Sequence, residues 1–348
     1  MKSFDWVNPY PSVRIPLFAR NVVSTSHPLA AQAGLRMLLK GGNAVDAAIA
    51  AAATIVLVEP VSCGLGGDCF AIVWDGKELH GLNSSGVAPA AWNVEYFKRK
   101  YGTGPDGLAI QPKRGWDSVT VPGVVAGWSA LHEKLGKLPF EQLFEPAIEI
   151  AERGYAVPPV VAHKWAAAAK ELSNQPGYAQ AFMPEGRAPK VGEHFRFPDA
   201  ANTLRRIAES HGRDFYEGEL AERIAAFAKE GGGAMTLEDL RGYRPEWVKP
   251  ISKSYRGYEL HEIPPNGQGI AALIALGIVE RFDMASLPVD SVQSQHVQIE
   301  AMKLAFADLY KYVADPRSME VTPEQMLSDG YLDSRAKLIR LDLSLIHI

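Results

Sequence analysis

Residues 60–89 constrain the fold of this chain more than any other stretch. Three glycines between positions 64 and 67 allow the backbone to turn tightly or to approach another segment closely without a Cβ clash. The apolar run Cys69–Trp74 predicts a buried strand, Asp75-Gly76 predicts a hairpin turn, and Leu79–Leu82 is the return strand. Small polar residues follow the return strand, and this segment ends at Pro89. We therefore predict that a glycine turn, a strand hairpin and a polar tip form one wall of a site.

The segment before the glycine turn predicts a buried helix. Residues Val45–Leu57 are rich in alanine and apolar on nearly all sides, which is typical of a helix packed closely against a sheet or another helix. Asp46 near its start is most simply an N-terminal cap or a partner of the helix dipole. An earlier helix, Leu29–Leu39, follows Pro28, and His27 is interpreted as a capping or packed histidine. A buried helix that leads into the turn makes the hairpin central to the fold.

The rest of the chain mixes both kinds of secondary structure. Strands are predicted at residues 21–25, 118–121, 251–255 and 258–262. Helices are predicted at residues 124–135, 143–153, 161–172, 200–211, 219–230, 270–282 and 292–312. Glycines and prolines mark residues 92–117 as a surface excursion. This order favours an α/β or α+β layered domain with a helical insertion.

Composition and charge argue against several kinds of partner. The 348-residue chain is 47% hydrophobic and 22% charged, which is typical of a globular protein. Its net charge of −4 does not favour binding to nucleic acid or to an anionic membrane. The sequence has no run of about eighteen apolar residues, so we predict no membrane span. The N-terminus has prolines and charges where a signal peptide needs an apolar core. We expect a cytoplasmic protein, with a periplasmic or secreted one as the alternative.

Residue types that carry chemistry are sparse. Cys63 and Cys69 could form one disulfide bond or remain two buried free thiols, and the free thiols are favoured. The nine histidines are scattered without a His-Glu-x-x-His spacing, so we predict no metal site and no cofactor. The glycine turn lacks the Gly-Lys-Ser/Thr that a phosphate-binding loop needs, which argues against a nucleotide. Ser84 and Ser85 are wall positions or part of a solvated loop, because no His or Asp nearby in sequence is placed to activate them.

Several short motifs follow one another in an order shared with a known family. The first are Gly41-Gly42-Asn43-Ala44-Val45-Asp46-Ala47-Ala48, Glu59-Pro60 and Gly64-Leu65-Gly66-Gly67. The later ones are Val121-Pro122-Gly123, Asp214-Phe215-Tyr216-Glu217-Gly218, Thr236-Leu237-Glu238-Asp239-Leu240, Tyr255-Arg256-Gly257-Tyr258, and Ala307-Asp308 to Asp315-Pro316. Across roughly residues 20–342 the chain thereby resembles the gamma-glutamyltranspeptidase family. Many separated matches in order indicate homology more strongly than any one glycine cluster.

The resemblance implies an N-terminal-nucleophile hydrolase, a four-layer αββα sandwich made as a precursor that cuts its own backbone before a threonine. The freed threonine is the nucleophile and, through its α-amine, the general base. No Thr-Thr-His motif occurs in this sequence, so the nucleophilic threonine is expected beyond Ile348 and no catalytic residue is assigned here. We expect an incomplete sandwich that is inactive alone. Its expected partner is its own C-terminal small subunit, which covers an apolar sheet face.

The resemblance also divides the chain into three parts. Residues 1–20 are an N-terminal arm, residues 21–342 are the large-subunit region, and residues 343–348 are a tail that need not be native.

The loop after the hairpin departs from the family pattern. A typical transpeptidase has Arg-Glu-x-Ala-Pro there, and the arginine grips the glutamyl α-carboxylate, whereas this chain has Ser85-Gly86-Val87-Ala88-Pro89. In this loop the chain resembles an acylase-like subgroup of the family. We therefore expect γ-glutamyl donors to be poor substrates. Arg99 or Arg114 could supply the missing cation from a neighbouring loop. Ser84 and Ser85 are predicted to contact the substrate.

These observations leave three classes of function. The first is the large-subunit part of a gamma-glutamyltransferase or glutathione hydrolase-like enzyme that acts on a small-molecule γ-glutamyl or related acyl amide. A glutaryl- or cephalosporin-type acylase is its close alternative. The second class is a non-catalytic scaffold fragment, and the third is an unrelated nucleotide-binding α/β protein. The gene sequence beyond codon 348 distinguishes the first two classes.

Overall fold

The computed structural model describes residues 17–345 of the chain. Its α-helices, numbered in chain order, are α1 (Pro28–Leu39), α2 (Ala44–Val58), α3 (Val94–Tyr101), α4 (Val124–Leu135), α5 (Glu145–Arg153), α6 (Pro159–Leu172), α7 (Tyr178–Phe182), α8 (Pro198–Glu209), α9 (Arg213–Glu217), α10 (Glu219–Glu230), α11 (Leu237–Gly242), α12 (Ile270–Val279), α13 (Val292–Tyr312), α14 (Pro323–Met326) and α15 (Asp329–Ala336). Its strands are β1 (Cys69–Trp74), β2 (Leu79–Ser84), β3 (Tyr155–Ala156), β4 (His194–Phe195), β5 (Glu246–Val248), β6 (Ile251–Tyr255) and β7 (Tyr258–Glu262). Short 3-10 helices cover Trp116–Ser118, Phe140–Leu143 and Met284–Ser286.

The described residues form two compact units. The first unit comprises residues 17–64 and 135–208, and the second comprises residues 65–134 and 209–345.

The bounds of the helices and strands confirm the predicted mixture of both kinds of secondary structure, with helices in the majority.

The first unit is built around α2, the alanine-rich helix. Ile49, Ala50 and Ala53 are almost completely buried, as the all-round apolar sequence predicts. Small residues let α1 approach closely, since a Cβ at Gly34 would lie 2.8 Å from the carbonyl oxygen of Ala47. The predicted buried helix is confirmed, with one more residue at each end.

Asp46 caps α2 and also holds a second segment of the first unit. The Asn43 side chain accepts from the backbone N–H of Asp46 at 3.0 Å, and the Asp46 carboxylate accepts from the N–H of Asn43 at 2.9 Å. The same buried carboxylate accepts from the N–H groups of Lys137 at 3.0 Å and Leu138 at 3.2 Å. Asp46 thus takes part in capping as the third residue of a capping box whose N-cap is Asn43, and its carboxylate also satisfies two backbone donors outside its own helix.

The second unit contains the predicted hairpin. Strands β1 and β2 pair antiparallel with Phe70 opposite Asn83, and β5 adds to the other edge of β2 with Glu246 opposite Asn83. Strands β6 and β7 form a separate antiparallel pair over the residues that the sequence predicts. The apolar helix α12 packs on α13 in a core that includes Ile274 and Leu304. This arrangement places the end of β2 beside β5 and the segment that follows β7.

Several sequence predictions are wrong. Residues 21–25 are irregular rather than a strand, and residues 22–25 line a groove along α2. Residues 118–121 are not a strand either, because a 3-10 helix covers Trp116–Ser118. Within residues 17–345, Val121 alone of this segment donates its backbone N–H to the loop after β2, to the carbonyl of Val87 at 2.9 Å. The helices predicted at residues 200–211 and 270–282, in contrast, are present as α8 and α12, and both end earlier than predicted.

The predicted surface excursion at residues 92–117 contains a helix. The Asn93 side chain caps α3 by accepting from the N–H of Tyr96 at 2.8 Å. The hydroxyl groups of Tyr96 and Tyr101 both donate to the buried carboxylate of Asp117, at 2.8 and 2.9 Å. Long-range contacts with Asp117 thus stabilise a short helix that its flanking glycines obscure.

The predicted terminal segments are only partly described. Of the predicted arm, residues 1–16 lie outside the described residues, and residues 17–20 form no helix or strand. Of the predicted tail, residues 346–348 also lie outside the described residues.

Candidate active site

The loop that follows β2 lines a cavity of about 660 Å³ within the second unit. The other walls come from the segments around β5, after β7 and before α14. The lining residues are Asn83, Ser85, Gly86, Val87, Ala88, Thr120, Tyr243, Arg244, Glu246, Val248, Pro264, Pro265, Asn266, Asp315, Pro316, Arg317, Met319, Val321, Thr322 and Pro323. The predicted polar tip of the hairpin is therefore one wall of a concave site.

Ser84 is buried beneath this wall and holds it in place. Its Oγ donates to the carbonyl oxygen of Gly123 at 2.7 Å and lies 3.0 Å from the hydroxyl oxygen of Tyr243. The Tyr243 hydroxyl in turn accepts from the N–H of Gly86 at 3.3 Å. Burial raises the pKa of Tyr243, so its hydroxyl stays neutral and can both donate and accept.

Two glycines allow the loops of this wall to touch. Gly86 has a φ of +87°, and a Cβ there would overlap the carbonyl oxygen of Val121. A Cβ at Gly123 would overlap the carbonyl oxygen of Ser84. Since no side chain fits at either position, the backbone itself sets the shape of the wall.

The surface of the wall is polar and uncharged. The Asn83 amide donates to the side-chain oxygen of Asn266 at 2.8 Å, and the Asn266 amide donates to the Ser85 Oγ at 3.1 Å. The backbone N–H of Ser85 donates to the Asn83 side chain at 3.1 Å, which closes the group. Ser85, unlike Ser84, lines the cavity, so the two predicted substrate contacts differ in position.

The cations of the cavity are Arg244 and Arg317, whereas Arg99 and Arg114 do not line it. The Arg317 guanidinium contacts both carboxylate oxygens of Asp315, at 2.9 and 2.6 Å, and lowers the pKa of Asp315 to about 2. Arg244 uses one terminal nitrogen for the carbonyl oxygens of Arg241 and Tyr243, at 2.7 and 2.6 Å. Its other terminal nitrogen lies 3.7 Å from Glu217, which is a looser contact. Arg244 therefore has the less neutralised guanidinium.

The other residues that the sequence analysis names have structural roles. The His27 ring accepts from the N–H of Leu29 at 3.2 Å, which confirms the capping interpretation. Buried Asp308 forms an ion pair with Arg335 at 2.7 Å. Cys63 and Cys69 are both free thiols, as favoured, although each is partly rather than fully buried. Desolvation, with the nearby Asp68, raises the pKa of Cys69 to about 11.

Sequence reasoning missed Tyr243, Arg244 and Asn266. Tyr243 and Arg244 directly follow α11, whose Thr236 cap the sequence indicates. Asn266 lies in the proline- and glycine-rich segment between β7 and α12, and nothing local singles it out. The side-chain partners of Tyr243 and Asn266 lie far away in the chain, 159 residues for Tyr243 and Ser84 and 183 residues for Asn266 and Asn83, so local patterns hold no sign of these contacts.

Comparison with known proteins places the chain in a family. The sequence model described as gamma-glutamyltranspeptidase matches residues 30–345. The chain belongs to the gamma-glutamyltranspeptidase family, and the predicted resemblance is confirmed.

Individual relatives agree with this assignment. The chain is 35% identical over 323 residues to the glutathione hydrolase-like YwrD proenzyme of Bacillus subtilis (strain 168), covering 92% of this chain and 60% of that protein. It is 33% identical over 330 residues to the acylase ACY 1 proenzyme of Pseudomonas sp. (strain SE83), covering 93% and 59%. The chain therefore spans about 60% of the length of these curated relatives.

The fold is also shared with solved structures. A crystal structure of cephalosporin acylase from Bacillus halodurans superposes with a TM-score of 0.87 at 47% identity, covering 98% of this chain and 63% of that one. The predicted fold class, the α+β fold of N-terminal-nucleophile hydrolases, is confirmed.

None of the helices in residues 17–345 is both long and apolar enough to cross a membrane.

Proposed function

We propose that this chain is the large-subunit part of an N-terminal-nucleophile enzyme that hydrolyses or transfers the acyl group of a small-molecule amide. The observation that carries the proposal is the family match over residues 30–345, in which the loop after β2 lines a cavity. A threonine in a C-terminal part attacks the amide carbonyl, and its own α-amine accepts the hydroxyl proton. Ser85 contacts the substrate, and Ser84 is a positioning residue beneath it.

The partner in this proposal is the C-terminal part of the same proenzyme. Support comes from β1, where Phe70, Ile72 and Trp74 alternate on one face and are 40%, 38% and 62% exposed. Three large apolar side chains in a row on one strand face are typical of a surface that another layer covers. The names of the relatives, both proenzymes, agree with a chain that is processed into two pieces.

The proposed substrate carries a carboxylate at the end of its acyl chain and is not selected for an α-amino acid. Ser85 provides no charge where typical transpeptidases have arginine, which disfavours γ-glutamyl donors. Arg244 provides a guanidinium with donors to spare elsewhere on the cavity wall. A glutaryl-like amide fits this arrangement, in keeping with the acylases among the relatives. Hydrolysis of γ-glutamyl amides is the second candidate, favoured by the glutathione hydrolase-like relative.

The test compares the 348-residue chain with the same chain extended by the downstream codons of its gene. Both are incubated with glutaryl and γ-glutamyl p-nitroanilides, and self-cleavage is followed by gel electrophoresis and mass spectrometry. We expect cleavage before a threonine and turnover of the glutaryl substrate only in the extended protein. The matched control replaces that threonine by alanine and should lose both activities. An extended protein that neither cleaves itself nor turns over any acyl amide would support the scaffold alternative instead.

A further inference from the structure

The turn between β1 and β2 brings together three side chains with metal-binding atoms. Asp75, Glu78 and His80 each offer one such atom, and these atoms all lie within 4.8 Å of one another. The Asp75 Oδ2 lies 2.9 Å from the His80 Nε2, and the Glu78 Oε1 lies 3.7 Å from the same nitrogen. The sequence lacks a His-Glu-x-x-His spacing, which brings metal ligands together on one face of a helix. A tight hairpin can also bring ligands together, and that spacing does not describe it.

The turn fixes two of the three groups in place. The Asp75 Oδ1 accepts from the backbone N–H groups of Lys77 at 2.7 Å and Glu78 at 2.9 Å, which directs its Oδ2 toward His80. The His80 side chain is only 9% exposed, and its ring packs edge-on against Trp247 with centroids 6.4 Å apart. Such support from backbone and neighbouring side chains is what orients ligands in metal sites.

The distances suit a small divalent ion. Nitrogen and oxygen ligands bind Zn²⁺ at about 2.0–2.2 Å, so two ligands of one ion lie roughly 3–3.5 Å apart. The Asp75–His80 separation of 2.9 Å is close to this size, and the Glu78 side chain, which is 74% exposed, has room to move closer to the other two groups. A fourth position stays open to water.

The charges suit a cation as well. Within residues 17–345, neither Asp75 nor Glu78 forms an ion pair with a lysine or arginine, and the imidazole is their shared partner. The nearby cations point elsewhere: the Lys134 ammonium lies 4.1 Å from the centre of the Trp247 ring, and Lys77 contributes its backbone N–H. The two carboxylates therefore have no lysine or arginine partner within residues 17–345.

We propose that Asp75, Glu78 and His80 form a binding site for a divalent transition-metal ion, with Zn²⁺ as the representative ion. One imidazole and two carboxylates are ligands that suit Zn²⁺ and its neighbours better than Mg²⁺ or Ca²⁺. The bound ion links the end of β1, the turn and β2, so it stabilises the hairpin. The site uses no residue that lines the cavity, so it stands independently of the proposed reaction.

The β6–β7 hairpin offers a matched control. There His261 and Glu259 lie 3.6 Å apart on one strand, as a histidine–carboxylate pair that belongs to no three-ligand group within residues 17–345. If this pair binds Zn²⁺ as tightly as the three-residue group does, the proposed site is not specific.

The experiment titrates Zn²⁺ into the purified full chain at pH 7.5 by calorimetry, and Co²⁺ with detection of its visible absorption. We expect one ion per chain, a higher unfolding temperature with Zn²⁺, and no change in affinity in His261→Gln. His80→Gln should abolish binding. Glu78→Gln should weaken it at least tenfold while leaving the metal-free unfolding temperature unchanged, so it remains decisive if His80→Gln does not fold. Zn²⁺ binding that is absent, insensitive to Glu78→Gln, or equally weakened by His261→Gln would overturn the proposal.

Discussion

The hydroxyl oxygen of Tyr243 lies 3.0 Å from the Oγ of Ser84, a residue 159 positions earlier in the chain. The same hydroxyl accepts from the N–H of Gly86. One phenol thereby connects the residue that directly follows α11 with the loop that forms the wall of the cavity.

Replacing Tyr243 by phenylalanine should loosen this wall. The change leaves the partly buried Gly86 N–H without its acceptor and buried Ser84 with one fewer partner, so we expect a loss of about 1–3 kcal/mol in the free energy of unfolding. Urea unfolding followed by circular dichroism measures it. Tyr178→Phe is the control, because the Tyr178 hydroxyl is buried without a hydrogen-bond partner in the described part of the chain. Equal losses in the two variants would contradict the assigned role.

Replacing Arg244 by glutamine should affect only substrates with a carboxylate on the acyl chain. A charge-assisted hydrogen bond contributes about 1.5–3 kcal/mol, so kcat/KM for glutaryl p-nitroanilide in the extended protein should fall roughly ten- to hundredfold. The pentanoyl analogue has the same chain length without the charge and should be unaffected. Arg317→Gln is the matched control, since Asp315 already neutralises that guanidinium. A similar fall for both substrates would show that Arg244 acts on the fold rather than on the carboxylate.

The thiol of Cys69 should react slowly at neutral pH. With a pKa of about 11, only about 0.1% of it is thiolate at pH 8, and the alkylation rate should rise close to tenfold per pH unit up to pH 10. Iodoacetamide labelling of a Cys63→Ser variant, quantified by mass spectrometry, isolates Cys69. A rate that levels off near pH 9 would show an ordinary thiol.

The same raised pKa makes stability depend on pH in the alkaline range. The unfolded chain loses the Cys69 proton near the ordinary thiol pKa of about 8.5, before the folded chain does. The contribution of Cys69 is therefore fully present below pH 8.5 and is lost as the pH rises toward 11. Cys69→Ala should flatten this part of the stability profile, measured as unfolding temperature against pH.

Removing the Asp46 carboxylate should destabilise the protein more than an ordinary cap mutation does. Asp46→Ala leaves the N–H groups of Asn43, Lys137 and Leu138 without their acceptor, so we expect a loss of about 2–4 kcal/mol. Gln325→Ala removes the equivalent carbonyl from the exposed capping box of α14 and should cost about 1 kcal/mol or less. Chemical denaturation of both variants gives the comparison. A loss at Asp46 no larger than at Gln325 would mean that water replaces the carboxylate.

Local signals were sufficient where an element's sequence alone determines it. The all-round apolar character of α2 indicates burial, and the Asp75-Gly76 turn indicates the β1–β2 pair. The Arg256-Gly257 turn similarly marks the hairpin of β6 and β7. In each case the pattern and the turn lie within about thirty residues, so no distant partner is needed.

Local signals failed where the contact is distant. Helix α3 depends on Asp117, and β5 exists because its three residues pair with β2, which lies more than 160 residues earlier. Ser84 looked like an accessible wall residue, but its hydroxyl is used by Gly123 and Tyr243. Hydrophobic periodicity does not specify such partners, because they depend on how remote segments meet.

The fit of Gly86 and Gly123 against neighbouring carbonyl groups has a consequence for protein engineering. Because the two glycines leave no space for a side chain, the frame of the cavity wall cannot be varied at these positions. Asn83, Ser85 and Asn266 project from this frame and bond mainly to one another. Under the proposed function, a combinatorial library at these three positions, with both glycines kept, should change substrate preference while the wall keeps its shape.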